Sequence, residues 1–159
     1  MRTLVVISDT HGRTEGLNAL RPLFAENDYI VHLGDGAADM RAVSEEYPDK
    51  IYVCQGNCDS YPALSEWVLE VESVRILICH GHRYGVKSDL STLAVAAKRQ
   101  GCDAAFYGHT HRPLISEEDG VLLVNPGSLR FPARQGGSYA YVTVVKDKIT
   151  PVIVGETAY

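Results

Sequence analysis

The sequence contains no C-x-x-C pair, no long apolar run and no cluster of basic residues, and each absence removes a class of protein. Without a run near the ~20 apolar residues that cross a bilayer, a helical membrane span is excluded and no membrane partner is expected. The stretch after Met1-Arg2-Thr3 holds only about five apolar residues and lacks a small-residue cleavage site, so no secretory signal is expected. The four cysteines, Cys54, Cys58, Cys79 and Cys102, are accordingly expected to be reduced thiols in a cytoplasmic protein. None is placed to complete the Cys-rich tetrad that closes a structural zinc site. A formal net charge of −5 without a Lys/Arg stripe argues against a stable nucleic-acid partner, whose affinity usually rests on basic surface. It leaves open a small phosphate-ester substrate, because bound metal could supply the positive charge.

Internal repeats, low-complexity tracts and linkers are missing as well. What remains is 159 residues, 45% hydrophobic and 22% charged, an ordinary composition for one globular domain spanning 1–159. Leu4-Val5-Val6-Ile7 is a continuous apolar run, as in a strand covered on both faces. Residues 15–26 carry Leu17, Leu20, Leu23 and Phe24 at helical spacing, with Pro22 predicting a kink or break. A strand over 29–33, a helix over 37–47 and a strand over 51–54 continue the alternation that predicts parallel strands with helical crossovers. The pattern then changes to a hairpin, 67–71 with 74–79 about Glu72-Ser73. A helix over 89–100 follows, with Asp89 or Ser88 as N-cap and Gly101 as C-cap. Strands are expected at 104–107, 114–118, 121–124, 138–146 and 149–154. The fold class is therefore α/β, with a parallel-rich N-terminal half and an antiparallel C-terminal half forming two sheets around one core.

The polar residues cluster where these strands end. Ser8-Asp9-Thr10-His11-Gly12 follows the first strand, Gly34-Asp35-Gly36 the second and Gly56-Asn57-Cys58-Asp59 the third. His80-Gly81-His82 follows 74–79, and Gly108-His109-Thr110-His111 follows 104–107. Carboxylate, imidazole and amide groups gathered at the carboxyl ends of strands sit where α/β sheets bind ligands, and they form a divalent-metal donor set. Each piece alone has a plainer reading. Asp9-Thr10-His11 could be an Asx-turn, Gly34-Asp35-Gly36 a generic turn, Gly56-Asn57 a pair suited to positive φ, and His80 a hydrogen-bonded core histidine. His109-Thr110-His111 is stronger, since H-x-H on an extended segment points both rings the same way. Five such sites in register with five strand ends favour a shared ligand.

This ordered set resembles the calcineurin-like metallophosphoesterase family, in particular its small single-domain phosphodiesterase branch. The family pattern is D-x-H, G-D, G-N-[HC]-D/E, an isolated H, then G-H-x-H. Here it stands as Asp9-Thr10-His11, Gly34-Asp35, Gly56-Asn57-Cys58-Asp59, His80 and Gly108-His109-Thr110-His111, with Asn125-Pro126-Gly127-Ser128 resembling a late N-P-G-S loop. The resemblance implies a helix-flanked, two-sheet αββα sandwich and a phosphoesterase, expected to be a phosphodiesterase. It implies one divalent ion on Asp9, His11, Asp35 and His111, and a second on Asp35, Asn57, His80 and His109. Asp35 would be shared, and a bridging water or hydroxide would attack in line; Asp35, Asn57 and His80 are the residues assigned to catalysis. Mixed His, Asp and Asn ligation without thiolate suits Mn, Ni, Zn, Fe or Co better than Ca or Mg, with Mn expected. The alternative is a protein-binding scaffold that retains a metal site, similar to a family relative in the retromer sorting complex that serves as a scaffold with an impaired metal site. The seven intact ligand positions favour catalysis.

The resemblance also sets a question, because many relatives carry His at the position of Cys58. That His is thought to assist proton transfer to the leaving group. Cys58 is expected to pack as a small residue rather than to act as a nucleophile, so substrates with good leaving groups are expected, or a proton from metal-bound water or His82. His82 borders the site or caps a loop, and Asn125 and Ser128 hold a ligating His or only form a turn. Asp39 and Asp59 support ligands or start helices, while Arg130 and Arg134 read as solvated. Apolar edge strands leave a homo-oligomer open, with no interface identified.

Overall fold

Two five-stranded sheets pack face to face in the computed structural model, which describes residues 1–155. The first half supplies β1 (Arg2–Ile7), α1 (Glu15–Ala19), α2 (Arg21–Glu26), β2 (Tyr29–His32), a 3-10 turn (Ala37–Met40) running into α3 (Arg41–Glu46), and β3 (Ile51–Val53). Then come β4 (Glu66–Val71), β5 (Val74–Cys79), α4 (Ser91–Arg99), β6 (Ala104–Phe106), β7 (Leu114–Glu118), β8 (Val121–Asn125), β9 (Ser138–Val145) and β10 (Lys148–Gly155). One sheet has the order β10-β9-β1-β2-β3 and the other β4-β5-β6-β8-β7.

Alternation along the strands creates the layers. In β1, Leu4 and Val6 face the second sheet, where they join Ile76, Ile78, Phe106 and Val124 in the inter-sheet core. Val5 and Ile7 point the other way, onto Leu17, Phe24, Met40 and Val43 of the first helical layer. Across the sandwich, Leu77, Ala105 and Leu123 meet Leu93, Ala94 and Ala97 of α4. A strand buried on both faces has no polar side, which is why β1 reads as an unbroken apolar run. The layer order is helix, sheet, sheet, helix, as the αββα resemblance implies.

The parallel and antiparallel pairs divide within each sheet rather than between the halves of the chain. β1, β2 and β3 are mutually parallel, and so are β5, β6 and β8. The antiparallel pairs are peripheral: β9 lies beside β1 with β10 outside it, β4 beside β5, and β7 beside β8. Thus the late hairpin β9–β10 returns to the first sheet. Alternation marks these segments as strands but carries no information on which partner they choose.

Local details shift by a residue or two. The break predicted near Pro22 falls at Leu20, and Pro22 sits in the first turn of α2, where its missing N–H has no intrahelical partner to lose. The segment 37–47 opens as a 3-10 turn before becoming α3. The N-cap of α4 is Leu90, not Ser88 or Asp89; Asp89 stands one position earlier and its Oδ1 accepts from the Ser91 N–H at 3.0 Å. Gln100 is the C-cap, with Gly101 beyond it at φ 68°. Among the described residues, no helix is long and apolar enough to cross a membrane.

Candidate metal centre

The parallel strands of both sheets end at the same edge, and their last residues deliver the polar groups. Asp9 follows β1, Asp35 follows β2 and Asn57 follows β3, while His80 and His109 follow β5 and β6. All seven residues singled out as ligands come together there, in two adjoining groups. In the first, Asp9 Oδ1 lies 3.1 Å from His111 Nε2 and 3.5 Å from His11 Nε2, and the two ring nitrogens are 3.1 Å apart. In the second, His80 Nε2 lies 3.3 Å from Asp35 Oδ2, 3.0 Å from Asn57 Oδ1 and 3.2 Å from His109 Nδ1. Asp35 Oδ2 also lies 3.7 Å from His11 Nε2, so one carboxylate oxygen faces both groups.

The donor chemistry tests whether cations fit. His80 Nδ1 donates to the Leu33 carbonyl at 2.9 Å, which leaves Nε2 with a lone pair. That lone pair points among Asp35 Oδ2 and Asn57 Oδ1, both acceptors, with His109 Nδ1 at 3.2 Å. Asp9 Oδ1 is buried with no hydrogen-bond donor. Acceptors gathered around acceptors require either an extra proton or a cation. Ring nitrogens 3.1 Å apart have the spacing of neighbouring ligands on an ion about 2.0–2.1 Å from each. The residues therefore fit two divalent ions.

Protonation follows the same crowding. Burial raises the Asp9 pKa, but His111, His80 and Ser8 outweigh it and the net direction is downward. At Asp35 burial is likewise offset by the His80 ring and the Cys58 N–H, which hold the carboxyl well below its usual range. Burial lowers His80, yet Asp35 and Asp9 carry its pKa upward, the extra-proton solution to the same electrostatic problem. His109 is lowered by burial and by its neighbour His80.

Backbone strain is concentrated here. Eight non-glycine residues among those described have positive φ, and five of them are Asp9, His11, Asp35, His109 and His111. The expectation of an extended H-x-H segment is thus not met. His109 has φ 69° and His111 φ 61°, and this left-handed backbone sends one ring to each group. Gly56 and Asn57 are not among the positive-φ residues, so the pair is not there to permit that conformation. A Cβ on Gly56 would lie 2.2 Å from Asp35 Oδ1 and 2.4 Å from Asp35 N, so glycine there allows close approach.

A supporting shell holds the strained loops. Asp59 accepts from the N–H groups of Asp35 and Gly56 through Oδ2, and from those of Gly36 and Ala37 through Oδ1, all within 3.1 Å. Asp39 Oδ2 accepts from the Thr10 hydroxyl at 2.6 Å and the Gly12 N–H at 2.9 Å. Both aspartates therefore support the site, which was one of their two readings. His32 was not singled out by the sequence. Its Nδ1 accepts from the Gly34 N–H at 3.1 Å, which fixes Nε2–H to donate to Thr10 Oγ1. Burial pushes its pKa down to about 4, so it stays a neutral link. The available signal was a histidine in an otherwise apolar strand, just before Gly34-Asp35.

Asn125 and Ser128 act on loop backbone and the Thr110 hydroxyl rather than on a histidine ring. Asn125 Nδ2 donates to the Gly108 carbonyl and to Thr110 Oγ1, both at 3.0 Å, and the Ser128 hydroxyl donates to the Asp9 carbonyl at 2.7 Å. The His82 ring centroid is 5.4 Å from that of His80, so it borders the site. Cys58 is exposed, its N–H donates to Asp35 Oδ1 at 2.8 Å, and partial burial and the Asp35 charge raise its pKa. A cavity of about 310 Å³ opens between His11, Asp35, Asp39, Cys58 and Tyr61.

Comparison with known proteins gives the same direction. The family model for the calcineurin-like phosphoesterase superfamily domain matches residues 1–147. The chain is 35% identical over 150 residues to the probable metallophosphoesterase YsnB of Bacillus subtilis, covering 92% of this chain and 87% of that protein. It is 28% identical over 142 residues to phosphodiesterase MJ0936 of Methanocaldococcus jannaschii, covering 77% and 81%. A predicted phosphoesterase from Streptococcus pneumoniae superposes with a TM-score of 0.81 at 26% identity, over 99% of this chain and 92% of that one. This chain belongs to the calcineurin-like phosphoesterase superfamily, whose members use divalent metal ions.

Proposed function

We propose that this protein is a phosphodiesterase acting with two divalent metal ions, manganese being the ion expected. The observation that carries the reading is the pair of donor groups joined through Asp35 Oδ2, which faces His80 and His11 at 3.3 and 3.7 Å. Asp9, His11, Asp35 and His111 would hold one ion and Asp35, Asn57, His80 and His109 the other, and the ions when bound would supply acidification of water and neutralisation of phosphoryl charge. The chain's own contribution is preorganisation. The Leu33 carbonyl orients His80, Ser8 and the His109 N–H hold Asp9, and Asp59 holds the loop that carries Asp35. The test is hydrolysis of bis-p-nitrophenyl phosphate by metal-stripped protein with and without Mn²⁺, beside Asn57→Ala. Turnover that needs metal and is lost in the variant supports the reading. No turnover with Mn, Ni, Co or Zn, from protein shown to bind the ion, moves the assignment to a metal-retaining scaffold.

Cys58 shapes the choice of substrate. No imidazole stands at this position to protonate a leaving oxygen. Esters with good leaving groups need no such proton. Cys58→His is expected to accelerate alkyl-ester cleavage by at least ~10-fold, toward the ~10²–10⁴ range of general acids, with little change for p-nitrophenyl esters. A rate series against leaving-group pKa checks this. Equal effects on both classes would remove position 58 from proton transfer.

A further inference from the structure

We propose that the cleft walled by Tyr61, Leu64 and Trp67 receives a flat aromatic group esterified to the phosphate, a reading that rests on the phosphodiesterase assignment above. This cleft has a volume of about 550 Å³, within the range of small-molecule sites. Tyr61 lines both it and the cavity beside Asp35 and Cys58. The 3-10 turn completes the junction, with Ala37 facing the cleft and Ala38 the cavity. A phosphate at the donor groups therefore has the cleft as its neighbour.

One loop builds both places. It is closed at its base by the Gln55 N–H donating to the Leu64 carbonyl at 2.8 Å, next to a bridge between Cys54 and Leu64. Gln55 Nε2 reaches the Tyr61 carbonyl at 3.4 Å. The closed loop carries Asn57 near its start, Cys58 at the cavity and Tyr61 at the shared wall. Tyr61 and Leu64 remain 40% and 55% exposed, large apolar surfaces with nothing packed over them. Trp67 is fixed from behind, where its Nε1–H donates to the Val53 carbonyl at 3.1 Å and its ring meets Tyr52 edge-on at 5.3 Å.

The lining dictates the occupant. No charged side chain borders the cleft, so it does not compete with the metal groups for the phosphate. Two aromatic rings and apolar Val53, Pro62 and Leu64 favour a planar organic group, which gains from stacking as well as burial. The ester would then lie across Tyr61, its phosphoryl group at Asp35 and its aromatic group against Trp67.

Trp67 is the single tryptophan, so its fluorescence reports on the cleft. The probes are 4-nitrobenzylphosphonate and methylphosphonate, which resist cleavage, added to Mn²⁺-loaded full-length protein. The nitrobenzyl compound is expected to quench Trp67 and to compete against substrate at least ~10-fold more tightly than methylphosphonate. Tyr61→Ala should reduce that advantage to about threefold or less, and Leu64→Ser, which lies outside the cavity beside Asp35, should lower it without weakening methylphosphonate. Equal affinity of the two phosphonates for the unaltered protein, or an advantage that survives Tyr61→Ala and Leu64→Ser together, overturns the proposal. The two readings fail separately. Diester turnover with equal phosphonate affinities removes only the aromatic subsite, whereas selective aromatic binding without turnover removes the catalytic reading and keeps the subsite.

Discussion

Asp35→Ala is expected to reduce metal-dependent diester hydrolysis by at least ~10³-fold, the equivalent of about 4 kcal/mol of transition-state stabilisation. The size follows from position. Asp35 Oδ2 faces His80 Nε2 at 3.3 Å and His11 Nε2 at 3.7 Å, so its loss weakens both metal groups at once. Oδ1 accepts from the Cys58 N–H at 2.8 Å, which ties the loop bearing Asn57 to the same carboxylate. Removing any single histidine leaves one group of donors complete. The corresponding measurement is metal content after equilibration with Mn²⁺ and desalting, beside turnover. Asp35→Ala should retain fewer than one ion per chain, whereas His111→Ala should retain about one. Equal metal content in the two variants would mean that the carboxylate is not shared. Circular dichroism of the metal-free proteins separates this from misfolding.

The donors were legible in the sequence because their positions are topological. Asp9, Asp35, Asn57, His80 and His109 each follow a strand, and strand ends can be read from apolar runs interrupted by Gly and polar residues. For Asp9, Asp35 and Asn57 the shared edge follows from β1, β2 and β3 being parallel, as the alternation in the first half predicts. The parallel pairing of β5 with β6, which brings His80 and His109 there, was not expected of the second half. The same logic fails for β9 and β10. Both are plainly strands, yet the pairing of β9 with β1 joins residues more than a hundred positions apart. Long-range pairing depends on the shape of the inter-sheet core, which local patterning does not encode. The supporting residues were equally hidden. Asp59 can cap a helix or accept four loop N–H groups, and only the folded path of residues 34–37 decides between them.

The geometry of the H-x-H segment shows why donor identity and donor direction separate. Spacing places His109 and His111 near each other, but side-chain direction depends on φ, and both residues adopt a left-handed backbone. Such a conformation costs about 1–2 kcal/mol at each residue and persists only where surroundings enforce it. Here the enforcement is visible: Asn125 grips the Gly108 carbonyl and the Thr110 hydroxyl, and the His109 N–H donates to Asp9 Oδ2 at 3.1 Å. Strain at His109 and His111 is thereby matched by contacts from β8 and from the loop after β1. The two sheets hold the two rings in separate groups although the rings are neighbours in sequence.

The same tight construction makes Gly56→Ala expected to lower stability by about 3 kcal/mol or more and to abolish diester turnover. A methyl group at Gly56 would stand 2.2 Å from Asp35 Oδ1 and 2.4 Å from the Asp35 backbone nitrogen. The nitrogen has no freedom to retreat, because it donates to Asp59 Oδ2, the same oxygen that accepts from the Gly56 N–H. Relief would require separating the β2 and β3 loops and breaking the Asp59 clamp. In a chain of this length the loss corresponds to a fall in Tm of roughly 6–12 °C in metal-free protein, read by scanning calorimetry. Gly120→Ala supplies the contrast. Gly120 has φ 78° but nothing within 4 Å of an added Cβ, so only conformational strain of about 1 kcal/mol is expected there, with turnover unchanged. If Gly120→Ala proves the more destabilising, backbone conformation rather than close approach governs these glycines. If Gly56→Ala loses stability but keeps turnover, the Asp35 carboxylate tolerates displacement and the metal groups are less preorganised than its contacts require.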